Sequence, residues 1–251
     1  MISLISTRDE VRLQCDVRFK LRSNLFMLAT PEVPQLDLNV YEPAEDSFLL
    51  LDCLEQDQPY LKLHLKTSVP IVSEIGAGSG IVIAFIKRHL YPWGIFIPTD
   101  VNPHACQAVL ATLKKNSQGS PRVYDVCQMD CTTAIRSQCL DLLVFNPPYV
   151  PAESVPATPN TLEDETWLDL ALLGGDDGME VTWRVLKNLN SILAPKGIAY
   201  ILFCARNKPK EVCIHMRSQG WLAEEVITRK AGWEVLTVVR FERDENYQKV
   251  K

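Results

Sequence analysis

The sequence predicts an α/β fold: a mostly parallel sheet of seven strands, helices on both faces, and an antiparallel hairpin at the C-terminus. From Tyr41 onward, short apolar runs of strand length alternate with amphipathic segments of helix length, which is the pattern of a parallel sheet covered by helices. A glycine-rich turn at residues 76–80 joins one such run to an apolar helix. Near the C-terminus, two strand-like runs flank a turn at Ala231-Gly232, which predicts the closing hairpin.

The predicted helices of the first half follow from their start signals. The first spans residues 42–56, where a proline suits the first turn and Glu45 and Asp46 favour the positive end of the helix dipole. A second helix, over residues 81–90, is so apolar that it must be largely buried. A third begins after Asn102, a capping residue followed by a proline.

In the second half, a proline-rich loop interrupts the alternation of strands and helices. Five prolines between residues 147 and 159 exclude regular structure there, and loops of that length are usually functional or disordered. Helices are predicted at residues 179–193 and 209–218. The seven strands are predicted at residues 71–75, 95–99, 123–129, 140–145, 197–204, 222–227 and 234–242.

Length and composition exclude several classes of protein. The 251 residues, of which 47% are hydrophobic and 23% charged, suffice for a core without disulfides or a metal. The longest uncharged stretches, such as the 12 residues 75–86, are shorter than the roughly 20 apolar residues of a membrane span. Eight cysteines without CxxC spacing indicate a reducing compartment and no metal site. We therefore expect a cytoplasmic protein, with the nucleus as a second compartment, and no membrane partner.

The strongest local indication of a ligand site is the sequence EIGAGSG at residues 74–80. Glycines in a turn between a strand and a helix let a ligand approach the backbone closely. The spacing differs from the GxGxxG of dinucleotide sites, and Glu74 suits a positively charged amino-acid group better than a phosphate. Asp100, at the end of the next strand, can accept hydrogen bonds from both hydroxyls of a ribose.

The tetrapeptide NPPY at residues 146–149 follows the strand at 140–145. The side-chain oxygen of Asn146 and the carbonyl of Pro147 can accept hydrogen bonds from an NH2 group and hold its nitrogen toward an electrophile, while Tyr149 packs on the planar group behind it. A tight proline turn with a capping asparagine is the structural alternative. In open parallel sheets, ligands bind beyond the carboxyl ends of the strands. The residues at or just after such ends are Gly76, Asp100, Asp130 and Asn146.

These motifs resemble the class I S-adenosylmethionine-dependent methyltransferases, and within them the HemK-like glutamine N5-methyltransferases of peptide-chain release factors, most closely the eukaryotic class 1 branch. The resemblance covers roughly residues 40–242 and lies in YEPAEDSFLLL at 41–51, EIGAGSG at 74–80, TDVNP at 99–103, LLVFNPPYV at 142–150, GGDDG at 174–178 and AGWE at 231–234. The family usually has threonine where this chain has Ser47, which keeps the hydroxyl. The resemblance implies a class I methyltransferase Rossmann-like fold.

The resemblance also implies the site residues, with S-adenosylmethionine as cofactor and S-adenosylhomocysteine as product. Glu74 and Gly76 would line the methionine moiety, and Asp100 would hold the ribose. Asp130, with the backbone at Cys131, would meet the adenine. The implied cofactor site comprises Ser47, Glu74, Gly76, Ala77, Gly78, Asp100, Val101, Asp130, Cys131 and Asn146. The implied catalytic residues are Asn146, Pro147, Pro148 and Tyr149, of which all but Pro148 also bind the substrate.

The implied reaction is methylation of a glutamine side-chain amide in a class 1 release factor. Because the nitrogen is positioned rather than deprotonated, no catalytic histidine is expected. Eukaryotic relatives work as heterodimers with a small zinc-binding activator subunit that docks along an edge strand, here residues 123–129. Residues 1 to about 26 extend beyond the family's usual start, so the predicted organisation is an N-terminal extension at 1–39 and a methyltransferase domain at 40–251.

Three alternatives stay open at this point. Adenine-N6 methyltransferases of DNA or RNA use the same proline motif, but the net charge of -5 argues against a nucleic-acid partner, which requires a basic surface. The basic stretch at residues 8–22 also contains acids and is interpreted as a solvated arm. A protein lysine methyltransferase is a second alternative. A non-catalytic scaffold is a third, and it predicts decayed motifs, whereas the glycine turn and the NPPY tetrapeptide are intact.

Overall fold

The structure is a computed structural model that describes residues 28–117, 119 and 121–247. Most of the predicted N-terminal extension, including its basic stretch at residues 8–22, lies outside the described residues, and the boundary at residue 39 stays a prediction. Within the described part, residues 28–39 form neither helix nor strand. They lie against the helices that follow, with the Leu28 N–H donating to Glu55 Oε1 at 3.0 Å.

The sheet confirms the predicted architecture. Its strands within the described part are β1 Ile71–Ile75, β2 Ile95–Phe96, β3 Thr99–Asp100, β4 Cys127–Gln128, β5 Leu140–Phe145, β6 Leu193–Cys204, β7 Trp221–Ala231 and β8 Glu234–Arg243. Their order is β4-β3-β1-β5-β6-β8-β7, with β2 paired to β1. All pairs from β4 to β6 are parallel, whereas β8 runs antiparallel to both β6 and β7. The closing hairpin is therefore present as predicted.

The predicted strand at residues 95–99 is broken into β2 and β3, which both pair with β1. The break falls at Ile97 and Pro98. Proline has no N–H and cannot donate to the ladder, so regular pairing stops beside it. The two short strands thus occupy one position in the sheet, and the prediction of seven strand positions holds.

The predicted strand at residues 123–129 is the edge of the sheet, but only β4 is regular there. The chain on either side still follows the ladder. The Asp125 N–H donates to the Phe96 carbonyl at 3.1 Å, and the Met129 N–H donates to the Asp100 carbonyl at 2.9 Å. The extended edge therefore runs the predicted length with fewer regular hydrogen bonds than an ideal strand.

The helices of the described part cover both faces of the sheet. They are α1 Glu45–Gln56, α2 Gln58–His64, α3 Ile81–Phe85, α4 Pro103–Asn116, α5 Asp169–Leu172, α6 Glu180–Ile192 and α7 Pro209–Ser218. A π-helical turn, Ile86–Leu90, continues α3 to the end of the predicted helix. α1 begins three residues later than predicted, after Ala44. The short helices α2 and α5 were not predicted.

The side chains of β5 alternate between two apolar layers, as a doubly covered parallel strand requires. Leu142 and Val144 pack in a cluster with α1, α3 and α4. Leu143 and Phe145 pack in a second cluster with α6 and α7. This core fixes the carboxyl ends of β1, β3 and β5 at one edge of the sheet. Across the described ranges, the helices are all too short or too polar to span a lipid bilayer.

Candidate active site

A cavity of about 260 Å³ opens at the carboxyl ends of β1, β3 and β5. Every residue that the sequence analysis assigned to the site lines this cavity. They are Ser47, Glu74, Gly76, Ala77, Gly78, Asp100, Val101, Asp130, Cys131, Asn146, Pro147, Pro148 and Tyr149. The structure thus brings together side chains that are up to about 100 positions apart in the sequence, as the parallel strand order predicts.

The glycine turn wraps one side of the cavity. Gly76, Gly78 and Gly80 have φ values of 59°, 53° and 76°, a region that side chains with a Cβ rarely adopt. The Ala77 N–H donates to the Thr99 carbonyl at 3.1 Å, which ties the turn to the end of β3. The turn therefore holds its backbone against the cavity in a fixed conformation.

Glu74, at the end of β1, is a buried carboxylate with 3% of its surface exposed. Its Oε2 accepts a hydrogen bond at 2.8 Å from the Ile83 N–H, in the first turn of α3. Burial raises the pKa of Glu74 well above its usual range, and the nearby charge of Asp100 adds to the rise. No cationic side chain of the described part compensates this carboxylate, so the site favours a positively charged group beside it.

Asp100, at the end of β3, has both carboxylate oxygens engaged by backbone N–H groups. Oδ2 accepts from Gly78 and Oδ1 accepts from Asn102, each at 2.9 Å. Burial raises the pKa of Asp100 to about 6, although these hydrogen bonds oppose the rise. Each oxygen retains a second acceptor site, which a hydroxyl in the cavity can use.

Asp130 and Cys131 form another part of the cavity wall, together with a residue that the sequence analysis missed. Arg184, from α6, forms an ion pair with Asp130 and approaches Cys131 Sγ at 3.7 Å. The Cys131 carbonyl accepts from Thr99 Oγ1 at 2.7 Å, and Cys131 has a φ of 50°. Burial raises the pKa of Cys131 to about 12, so the thiol stays protonated. Arg184 thus fixes the position of the Asp130 carboxylate.

Asn146, directly after β5, donates from Nδ2 to Asp46 Oδ2 at 2.9 Å. Its Oδ1 is buried and has no hydrogen-bond partner among the residues that the structure describes. Because a buried acceptor without a partner is costly, this atom marks a place where a donor from a ligand is expected. From sequence, Asp46 was expected only to favour the positive end of the helix dipole, so its contact with Asn146 was not predicted.

Tyr149 is oriented by the start of β8. Its hydroxyl donates to Glu234 Oε2 at 3.1 Å, while Arg206 lies 3.7 Å from Glu234 Oε1. Burial, together with the charges of Asp46 and Glu234, raises the pKa of Tyr149, so its hydroxyl remains a donor. Glu234 belongs to the AGWE block that carried the resemblance, although no role was assigned to it from sequence.

The GGDDG block holds the backbone of the proline motif in place. Gly178 has a φ of 67°, and a Cβ at this position would lie 2.1 Å from the Tyr149 carbonyl oxygen. The Asn207 side chain donates to the same oxygen at 3.2 Å. Glycine at 178 is therefore required for the close approach of this loop to the NPPY turn.

Taken together, the cavity combines two uncompensated carboxylates, one unpaired amide oxygen and an oriented tyrosine. Such a set can hold a cationic ligand with hydroxyl groups and, next to it, a planar NH2 group. None of the described lining residues is a histidine. The arrangement is suited to catalysis by orientation rather than by general base.

Comparison with known proteins identifies relatives over most of the chain. The eRF1 methyltransferase catalytic subunit mtq2 of Schizosaccharomyces pombe is 35% identical over 229 residues, covering 86% of this chain and 96% of the relative. The human methyltransferase HEMK2 is 35% identical over 204 residues, covering 81% of this chain and 89% of the relative. A scan against protein-family models gave no match.

The fold has solved counterparts. The E. cuniculi Mtq2 in a complex with Trm112, described as acting in methylation of the eRF1 translation termination factor, superposes with a TM-score of 0.57. It is 23% identical, and the match covers 82% of this chain and 99% of that chain. This likeness supports the class I methyltransferase Rossmann-like fold. By its identity to relatives over most of both lengths, the chain belongs to the family of eRF1 methyltransferase catalytic subunits and HEMK2 methyltransferases.

Proposed function

We propose that this protein transfers a methyl group from S-adenosylmethionine to the side-chain amide nitrogen of a glutamine in a class 1 release factor. The observation that carries the proposal is the buried, unpaired Oδ1 of Asn146, a residue that lines the cavity beside two buried carboxylates. The family membership supports the substrate class, because the S. pombe relative is named for eRF1.

The cofactor is assigned to the wall formed by β1, β3 and α6. Glu74 would receive the amino group of the methionine moiety, because a buried carboxylate with a raised pKa gains most from a cation. Asp100 would accept from the ribose hydroxyls, and Asp130 from the adenine amino group. The remaining members, which line the same cavity, are Ser47, Gly76, Ala77, Gly78, Val101 and Cys131.

The residues of the NPPY turn would orient the glutamine amide. Its two N–H bonds would donate to Asn146 Oδ1 and to the Pro147 carbonyl, which leaves the nitrogen lone pair directed into the cavity. Pro148 keeps the turn rigid, and Tyr149, held by Glu234, would pack against the amide plane. Confining an amide whose lone pair is delocalised is the main contribution that these side chains can make.

The methyl transfer requires no general base. S-adenosylmethionine would supply a methyl group on a sulfonium sulfur, and that sulfur would keep the electron pair of the S–C bond. The lone pair of the glutamine nitrogen would form the new N–C bond, and the nitrogen would then lose one proton to water. Asn146 Oδ1 and the Pro147 carbonyl hold the nitrogen throughout and accept from its N–H bonds.

We also propose a heterodimer with a small zinc-binding activator, docked at the edge strand around β4. Along residues 123–129, the hydrogen bonds to β2 and β3 use the groups of alternate residues, such as Asp125 and Cys127. Tyr124 and Val126 therefore direct their backbone groups to the outer side, where a further strand can add once the Val126 N–H is released from Asp125 Oδ1, to which it donates at 2.9 Å. The presence of Trm112 in the E. cuniculi Mtq2 structure supports a small activator partner.

The decisive experiment is mass spectrometry of a class 1 release factor incubated with the full chain, its activator and S-adenosylmethionine. We expect one added methyl group on a glutamine side chain. Asn146→Ala should abolish it, whereas Asn246→Ala, which changes an exposed asparagine far along the chain, should not.

Two outcomes would overturn the proposal. Methylation of lysine instead of glutamine would identify a protein lysine methyltransferase. Labelled DNA or RNA with an unlabelled release factor would identify a nucleic-acid enzyme, against the acidic net charge of -5.

A further inference from the structure

We infer that Asp46 is a positioning residue that fixes the orientation of the Asn146 amide, an inference that rests on the proposed function. An asparagine amide has a donor end and an acceptor end, and a rotation of its last side-chain bond exchanges them. Only one orientation directs Oδ1 toward a substrate NH2 group. Because neither orientation is sterically excluded, a neighbouring group must select it.

Asp46 makes that selection. An ionised carboxylate accepts hydrogen bonds and cannot donate them. Asp46 Oδ2 lies 2.9 Å from Asn146 Nδ2, so the reverse orientation would place two oxygens in contact. Asp46 has 4% of its surface exposed, so the cost of that repulsion keeps Nδ2 next to Asp46 and Oδ1 directed away from it.

The Asp46 carboxylate is itself held from several sides. Oδ1 accepts from the Ser47 N–H at 2.6 Å and from the Ser47 hydroxyl at 3.3 Å. The Tyr41 hydroxyl lies nearby, and the pKa of Tyr41 is raised by burial and by the charge of Asp46. Asp46 lies in the first turn of α1, whose N-terminal backbone dipoles favour a negative charge there. These contacts leave the carboxylate little freedom to turn away from Asn146.

The same hydrogen bond supports the chemistry. As the glutamine nitrogen forms its bond to the methyl carbon, positive charge develops on that nitrogen and its N–H groups become stronger donors. Hydrogen bonds in a chain polarise one another, so a carboxylate on the Asn146 NH2 makes Oδ1 a better acceptor. Asp46 would therefore act through Asn146 without touching the substrate.

The test compares three variants of the full chain with its activator: Asp46→Asn, Asp46→Ala and Glu42→Ala. Asp46→Asn has nearly the same shape but offers one acceptor oxygen instead of two. Glu42→Ala removes an exposed carboxylate just before the same helix and should behave as the wild type. We expect kcat for release-factor methylation to fall by about 10- to 100-fold in Asp46→Ala, as a misoriented reactant predicts, and by less in Asp46→Asn.

Binding should change far less than kcat. We expect KM for the release factor, and the calorimetric Kd for S-adenosylhomocysteine, to stay within about 3-fold of the wild-type values, because a residue that acts only on orientation leaves ground-state binding intact. The inference is wrong if both Asp46 variants keep kcat within twofold of the wild-type value. It is equally wrong if the whole loss appears in Kd or KM, because Asp46 would then be a binding residue.

A second measurement does not need a substrate. The side-chain amide resonance of Asn146, identified by its disappearance in Asn146→Ala, should shift in both Asp46 variants and stay fixed in Glu42→Ala. An unmoved resonance overturns the inference. If the wild type left release factors unmethylated while the resonance still shifted, the proposed substrate would be wrong and the positioning by Asp46 would stand.

Discussion

The two ends of α1 hold carboxylates in contrasting surroundings. Asp46, in its first turn, lines the cavity and holds Asn146, whose Oδ1 remains without a partner in the described structure. Asp57, directly after the last residue of α1, lies in a group of ionic and aromatic side chains that we call the Arg240 cluster. This cluster consists of Asp57, Tyr60, Tyr200, Glu224, Arg240 and Glu242.

In the Arg240 cluster, one buried guanidinium forms ion pairs with the carboxylates around it. Arg240, whose side chain is 6% exposed, pairs with Asp57 and with Glu224, each at 2.5 Å. Its guanidinium carbon lies 3.4 Å from the centroid of the Tyr60 ring, and the Tyr200 hydroxyl donates to Asp57 at 2.6 Å. Burial alone would lower the pKa of Arg240, but the hydrogen bond and charge of Asp57, together with Tyr200 and Tyr60, outweigh burial and raise the pKa. The cluster fastens α1 and α2 to β6 and β8.

The cavity has the opposite arrangement. Glu74 and Asp100 are buried, and the hydrogen bonds that the structure gives them come from backbone N–H groups. Arg184 is the one basic residue among the described lining residues, and it is paired with Asp130. Charges without counterions lower stability, so they are retained where a ligand needs them. We therefore expect substitutions in the Arg240 cluster to change mainly the free energy of unfolding, and substitutions in the cavity to change mainly the affinity for the ligand.

The largest expected effect is on folding, in the Arg240 cluster. Arg240→Ala leaves the Asp57 carboxylate, whose side chain is 13% exposed, without its cation, so we expect the free energy of unfolding to fall by about 3 kcal/mol. Denaturant unfolding monitored by circular dichroism measures this. The Kd for S-adenosylhomocysteine of the folded fraction should not change.

A matched control is the exposed ion pair between Lys196 and Glu245, at 3.6 Å. Lys196→Ala should change the free energy of unfolding by less than about 1 kcal/mol, as for other surface pairs. If Arg240→Ala lowered the free energy of unfolding no more than Lys196→Ala, the Arg240 cluster would not stabilise the fold, and its contrast with the cavity would be wrong.

The next effect is on binding, in the cavity. Glu74→Gln keeps an oxygen for the Ile83 N–H but removes the charge that would receive the methionine amino group. We expect the Kd for S-adenosylhomocysteine to rise about 10- to 30-fold, as for loss of one hydrogen bond to a charged group. The free energy of unfolding of the ligand-free chain should stay equal or rise, because a buried uncompensated charge has been removed.

The same substitution in the Arg240 cluster should give the reverse result. Glu242→Gln weakens the charge beside Arg240, so we expect a lower free energy of unfolding and an unchanged Kd. Calorimetry and denaturant unfolding on both variants separate the two patterns. If Glu74→Gln and Glu242→Gln changed the Kd equally, binding would not be confined to the cavity and the proposed difference between the two regions would be wrong.

Much of the cavity could be predicted because its residues follow strand ends. Glu74, Asp100, Asp130 and Asn146 lie at or next to the carboxyl ends of parallel strands, and the strand order brings such ends together whatever the details of packing. The break at Pro98 also had a signal, since proline cannot continue a ladder.

The residues that sequence reasoning missed come from elements whose docking depends on tertiary packing. Asp46 is on α1, Arg184 on α6 and Glu234 at the start of β8. The hydrophobic periodicity of a helix does not indicate which strand end its terminus will contact. Asp46 and Glu234 lie inside blocks that carried the family resemblance, which was the available signal, whereas Arg184 lies outside those blocks. The Arg240 cluster was not predicted for the same reason, because its members come from α2, three strands and a helix boundary.

The smallest expected effect is on pH dependence, and it again separates the two regions. Burial raises the pKa of Asp100 from 3.8 to about 6, so the cost of burying its carboxylate is present above about pH 6 and disappears as the pH falls toward 3.8. Ribose hydroxyls donate to the ionised form, so affinity should change in the opposite sense. We expect the Kd for S-adenosylhomocysteine to rise by up to about tenfold between pH 7 and pH 5, by protonation of one group.

In Asp100→Asn, calorimetry at the same pH values should show weaker binding with a flatter pH dependence, whereas Glu242→Gln should keep the wild-type slope. An unchanged slope in Asp100→Asn would assign the titration to another group of the cavity, with Glu74 as the first candidate because its pKa is also raised by burial.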